Sequence, residues 1–210
     1  MTSRLISTAG RAGGQPDLAA AETAATAFLT ALGVSLDDEH TRETPRRMAK
    51  AYAELLNAED FAMTTFDADG YTGLVGVRKV RFTSLCAHHA LPFTGSADVG
   101  YLPGERIAGL SKLARLVRAV ASRPQVQERM TVQIADRLDA ELAPRGIAVR
   151  LRATHLCLTA RGARATGSVM ITAELRGLLA DDASVRAEWA HGVSATTIRH
   201  SSRGCGCLGD

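Results

Sequence analysis

Cysteine and aromatic residues are scarce in this 210-residue chain, which has four Cys, one Trp, three Tyr and five Phe. Four cysteines give no dense disulfide framework of the kind that staples small secreted domains. No apolar run is long enough to cross a bilayer, so a membrane span is not expected. The opening residues, MTSRLISTAGRAGGQP, lack an apolar core of signal-peptide length and are rich in small and turn-forming residues. They read as a mobile lead-in to a cytoplasmic protein. Charge of one sign is not in excess either: 25 Lys and Arg against 22 Asp and Glu leave a net +3. The cations are scattered and aromatics reach only 4%, which argues against a nucleic-acid surface. With 46% hydrophobic and 22% charged residues, one compact domain with ragged ends is the simplest organisation.

Two short segments nevertheless concentrate metal-binding chemistry. Cys86-Ala87-His88-His89 is answered about seventy residues later by His155-Leu156-Cys157. Cys86 and His89 form a C-x-x-H pair that a tight turn can bring onto one ion, and Cys157 can supply a third ligand. Buried cysteines that merely pack are the alternative. Three protein ligands leave one position for water, which is the catalytic rather than the structural pattern. His88 and His155 then become candidate proton carriers beside the metal.

Coarse periodicity locates these segments. Residues 17–32 are alanine-rich and end at Gly33, and residues 44–56 open on Thr44-Pro45; both read as helices, with Thr44 as the cap. Residues 75–82 and 97–102 read as strands, with residues 86–89 in their connection. Residues 111–122 carry Leu113, Leu116, Val117 and Val120 on one helical face, and residues 125–142 form a second long helix after Pro124. Residues 147–159 alternate as a strand, which would set His155 and Cys157 on one face, and residues 168–175 make its partner. The fold class is α+β, with antiparallel strand pairs and two long helices.

The motifs resemble one known family. Thr44-Pro45-Arg46-Arg47-Met48-Ala49-Lys50-Ala51-Tyr52, Cys86-Ala87-His88-His89, Gly109-Leu110-Ser111-Lys112-Leu113-Ala114-Arg115, Arg123-Pro124-Gln125-Val126-Gln127-Glu128-Arg129, Thr154-His155-Leu156-Cys157 and Ala160-Arg161-Gly162 are similar, in order, to GTP cyclohydrolase I. The resemblance implies the tunnelling fold, with units assembled side by side into a ring, by expectation a homodecamer with shared active sites. It also implies Zn2+ and opening of the guanine imidazole ring of GTP. C8 would leave as formate, and the ribose would rearrange to give 7,8-dihydroneopterin triphosphate.

Roles follow from that resemblance. Cys86, His89 and Cys157 would hold the zinc; His155 would protonate the guanine imidazole, and His88 would serve ring opening and proton transfer at the ribose. Lys50, Lys112, Arg115 and Arg161 would take the triphosphate, with Arg47, one helical turn before Lys50, as a further candidate. Alone, Lys112 and Arg115 would read as a solvated helix face, Glu128 as a surface charge and Ser111 as a helix cap. In the family pattern Glu128 recognises guanine, its two acceptor oxygens facing the N1–H and the 2-amino group, and Ser111 acts in the ribose rearrangement. A triphosphate substrate also accounts for the basic balance.

One departure stands out: Ala87 replaces the glutamate usual between the cysteine and the histidine pair. It puts the rate in doubt and keeps two other readings open, a cyclohydrolase that stops at a formamide and a non-enzymatic zinc-bearing homologue. The expected division is a flexible segment over 1–16, a catalytic domain over 17–193 (helical part 17–60, core 75–190) and a flexible tail over 194–210. That tail holds Cys205 and Cys207 beside His200.

Overall fold

The computed structural model describes residues 15–57 and 62–191. The expected tail, with Cys205, Cys207 and His200, lies outside them, as does the lead-in apart from Gln15 and Pro16.

Helix α1 (Leu18–Ala31) begins where the Asp17 carboxylate accepts from the Ala20 N–H at 2.9 Å, and Gly33 beyond it takes φ +80°. Helix α2 (Thr44–Leu55) has Pro45 in its first turn, where a missing N–H costs nothing. Thr44 is itself the first helical residue, not the cap: Glu43 precedes it without a side-chain capping bond. The pair α1 and α2 pack on each other, and α2 reaches the core through the Tyr52 hydroxyl, which donates to the Ala90 carbonyl at 3.1 Å.

The core is one five-stranded sheet. Strands β2 (Val75–Cys86), β3 (Pro92–Leu102), β6 (Gly146–His155) and β7 (Met170–Gly177) are antiparallel neighbours in that order, and the two-residue β5 (Pro124–Gln125) adds parallel to the end of β2. A small ribbon of β1 (Thr65–Asp67) and β4 (Arg106–Ala108) stands apart from it. Alternation along the strands sends Phe93, Ala97, Val99 and Tyr101 of β3 and Ile147, Val149, Leu151 and Ala153 of β6 to one face. Helices α3 (Leu110–Ala121) and α4 (Gln127–Leu142) cover that face with Leu113, Leu116, Val117, Met130, Ile134 and Leu138. These side chains are essentially dry, and burial of each stabilises by roughly 1.5–3 kcal/mol. The α+β class and its strand pairs therefore stand as expected.

On the opposite face, at one end of the sheet, Trp189 of helix α7 (Ala183–His191) closes a second cluster with Leu102, Ala148 and Leu179, the last from the short helix α6 (Leu178–Asp181). Its indole lies over Gly100, where a Cβ would stand 2.5 Å from a ring carbon. The Arg78 guanidinium rides 5.0 Å from the ring centroid, and its Nη2 donates to the Trp189 carbonyl. On that same face Asp98 is buried; a bulge in β2 aims the Lys79 N–H at it (3.0 Å), and Arg150 of β6 completes the pair at 2.9 Å.

Strand β3 starts at Pro92 rather than 97 and β7 spans Met170–Gly177 rather than 168–175, and the boundaries that frame the site differ too. The strand of β6 ends at His155, and Leu156–Thr159 form a single helical turn, α5, so His155 and Cys157 do not share a strand face. The reason is pairing: β7 reaches only to Ala153, and β3 runs out one register step past Phe93, so residues beyond His155 have no ladder to join. Cys86 is the last residue of β2, not part of the loop, because β2 and β3 stay paired to Leu85 and Pro92. Helix α4 starts at Gln127 because Pro124 and Gln125 are drawn into the sheet. Ser111 lies inside the first turn of α3, whose cap position is Gly109.

Candidate metal centre and active site

The ends of β2 and β6 lie on either side of β3 and point to the same end of the sheet, since both strands run antiparallel to β3. At the end of β2 the chain turns back sharply: the N–H groups of His89 and Ala90 donate to the Cys86 carbonyl at 3.2 and 2.8 Å, and Ala90 takes φ +53°. The Ala87 N–H is held by the Gln125 carbonyl of β5 at 2.9 Å. This turn folds the His89 ring back so that Nδ1 stands 3.7 Å from Cys86 Sγ. The helical turn α5 swings Cys157 into the same place, with its sulfur 3.9 Å from that of Cys86.

All three ligand atoms lie within 4.8 Å of one another. A tetrahedral zinc with Zn–S near 2.3 Å and Zn–N near 2.0 Å requires ligand separations of about 3.3–3.8 Å, so the Cys86–His89 and Cys86–Cys157 spacings need adjustments of at most tenths of an ångström. Two sulfurs and an imidazole are also the donor set zinc prefers. Cys86 is buried, Cys157 half-buried and His89 exposed. Burial pushes the Cys157 thiol up, and the neighbouring Cys86 thiol adds to the effect. A bound cation would reverse that balance by favouring the thiolates.

The catalytic candidates differ in their settings. His155 closes β6 with its ring stacked flat on Phe93, centroids 4.3 Å apart and planes 5° apart, and its Nε2 is 2.8 Å from Gln127 Oε1. Burial pulls its pKa below the ordinary histidine value, and the Glu128 carboxylate at the start of α4 opposes that shift. Burial thus favours the neutral imidazole, the form able to accept a proton. His88 is exposed on the turn, edge-on to His89 at 6.3 Å. Arg161, just after α5, is near enough to act electrostatically on Cys157.

The rest of the basic set lies on two helices. Lys50 and Arg47 are exposed on α2 and Arg115 is exposed on α3. Lys112 donates to the Ala62 carbonyl at 2.8 Å, and Ser111 is exposed beside it. A cavity of about 390 Å³ lined by Arg81, Phe82, Thr83, Thr94, Gly95 and Arg118 contains none of the predicted residues. Sequence reasoning missed Gln127, Phe93 and Tyr52. Gln127 lay inside the quoted motif next to Glu128, but its 1% exposure is a tertiary fact that no periodicity reveals.

A family model described as GTP cyclohydrolase I matches residues 21–194. The chain belongs to the GTP cyclohydrolase I family. Among curated relatives, "GTP cyclohydrolase 1" of Aquifex aeolicus is 44% identical over 163 residues, covering 77% of this chain and 89% of that protein. "GTP cyclohydrolase 1" of Streptomyces avermitilis is 46% identical over 178 residues, covering 81% and 88%. That of Rhodopirellula baltica is 43% identical over 176 residues, covering 82% and 77%. A solved structure titled archaeosine synthase QueF-Like in the apo form overlays at TM-score 0.43 and 16% identity, over 51% of this chain and 96% of that one. The match to the GTP cyclohydrolase I family takes in every predicted site residue, from Arg47 to Arg161.

Proposed function

We propose that the protein is a zinc-dependent GTP cyclohydrolase I, which converts GTP and water to 7,8-dihydroneopterin triphosphate and formate. The observation that carries this reading is the convergence of Cys86, His89 and Cys157 beside His155 in a chain of that family. Cys86, His89 and Cys157 would hold the zinc, which when bound would supply Lewis-acid activation of a water. Two thiolates lower the charge on such an ion, so proton transfer by the protein has to share the work.

The protein's own groups divide the remaining tasks. Glu128 accepts from the N1–H and 2-amino group of guanine and so orients C8 toward the metal side. His155 moves a proton at the imidazole nitrogens of the base as the ring opens. His88 serves proton transfer at the ribose, with Ser111 as a further hydroxyl there. Lys50, Lys112, Arg115, Arg161 and Arg47 bind the triphosphate. The reading includes a ring-shaped homo-oligomer, by resemblance a decamer, whose neighbours complete the pocket; β7, the end strand of the sheet among the described residues, leaves an edge that assembly can cover. A cytoplasmic setting and a role at the entry to pterin and tetrahydrofolate or deazapurine synthesis belong to the same proposal.

The deciding experiment is incubation with GTP followed by fluorescence of the oxidised pterin and an assay for formate. Stoichiometric formate and pterin support the reading. A second reading rests on Ala87: an enzyme that halts at a formamide consumes GTP without releasing formate, and a non-enzymatic homologue consumes none.

A further inference from the structure

The polarity of one buried hydrogen-bond chain determines which nitrogen of His155 carries a hydrogen. Thr131, 2% exposed, lies one turn after Gln127 on α4, and its hydroxyl donates to the Gln127 carbonyl at 2.8 Å. That hydrogen is thereby committed. The 2.7 Å contact between the hydroxyls of Thr131 and Thr172 must then run from Thr172 to Thr131. Thr172 has only lone pairs left for the Gln127 side chain, whose Nε2 lies 3.1 Å away. The same Nε2 faces two backbone carbonyls, Met170 at 3.2 Å and Leu151 at 3.4 Å. Three acceptors around one end of the amide fix that end as the NH2 group, since turning the amide over would set oxygen against oxygen in a dry site. Its Oε1 therefore points at His155 Nε2, 2.8 Å away, and can only accept.

We infer that Gln127 is a positioning residue for His155, fixing the neutral imidazole as the tautomer with its hydrogen on Nε2 and leaving Nδ1 bare. The Phe93 ring clamps the imidazole plane from one face, so Gln127 and Phe93 together allow one orientation. The polarity originates in Thr172 of β7 and Thr131 of α4, which makes the helix-to-sheet junction part of the orientation of an active-site residue. That Nδ1 is the nitrogen exchanging the proton with the base rests on the role proposed above for His155; the tautomer does not.

Histidine labelled with 15N in the full, zinc-loaded chain gives the test, with the His155 resonances identified by their absence in His155→Asn. The expected spectrum for the unsubstituted protein is the Nε2–H pattern, and Gln127→Met should give a mixture of tautomers. In the same variant kcat should fall about 10- to 100-fold with KM for GTP nearly unchanged. An Nδ1–H pattern in the unsubstituted protein overturns the inference even if no variant folds. An unchanged pattern in Gln127→Met, or a rise in KM with kcat intact, overturns it as well. Full activity in His155→Ala would remove the proton-carrying role, while an Nε2–H spectrum would still uphold the positioning.

Discussion

The sulfurs of Cys86 and Cys157 stand 3.9 Å apart across a sequence separation of 71 residues, bridging the ends of two strands that are not neighbours in the sheet. Burial and the neighbouring Cys86 thiol both disfavour the Cys157 thiolate, a balance that a bound cation would reverse.

The purified protein is accordingly expected to carry about one zinc per chain. Cys86→Ser or Cys157→Ser should abolish both metal content and turnover while the assembly persists. Chelator-treated samples assayed with and without added zinc make the comparison, and full activity in metal-free protein would sink the assignment.

Glu128→Gln should impair GTP turnover far more than folding, since the residue is exposed at the start of α4 and its amide would set a donor against a donor. ITP, which lacks the 2-amino group, should be a poor substrate for the unsubstituted enzyme. Equal kcat/KM for GTP and ITP refutes the role.

Ala87 is exposed, and its N–H bond to Gln125 does not involve the side chain, so a longer residue has room there. Ala87→Glu should leave the rate unchanged or raise it up to about 10-fold, whereas His155→Ala should cost about 100- to 10,000-fold. A natural protein that makes no pterin with zinc fully bound, but does so after Ala87→Glu, would contradict this and favour the non-enzymatic reading.

Sedimentation at assay concentration should find a ring-sized oligomer, because β7 ends the sheet among the described residues and leaves an edge for assembly to cover. A stable, fully active monomer is the outcome that excludes shared pockets.

Acid stability should depend on Asp98. Burial pushes its carboxyl up, but the Lys79 N–H and the Arg150 guanidinium outweigh burial and hold it below the usual carboxylate range. With the folded value below the unfolded one, this contribution is complete above the unfolded pKa and vanishes as pH falls through the folded pKa. Asp98→Asn should cost about 2 kcal/mol near neutral pH and flatten the acid limb of the melting curve. Parallel curves for the two proteins between about pH 7 and about pH 3 would show that the pair is not the source.

The sequence was most legible where the signal is local. The stripe of Leu113, Leu116 and Val117 defined α3, and alternation defined β6 as far as His155. The candidate metal ligands were readable because thiols and imidazoles at tight spacing stand out in a cysteine-poor chain. Cys157 was found but misplaced: Leu156-Cys157-Leu158-Thr159 continue the apolar pattern of the strand, and only the absence of ladder partners turns them into a helix. Gln127 was invisible as a functional residue because a buried glutamine acquires its meaning from acceptors on β6 and β7, more than twenty residues away.

The indole of Trp189 and the bare α-carbon of Gly100 occupy one volume between them. Even a methyl group at position 100 would stand 2.5 Å from the ring, and the ring is pinned by Arg78 and the second cluster. The two positions can therefore drift only as a pair: Gly100→Ala is harmful alone, tolerable beside a smaller residue at 189, and a lineage must cross the less fit single change to reach the double one.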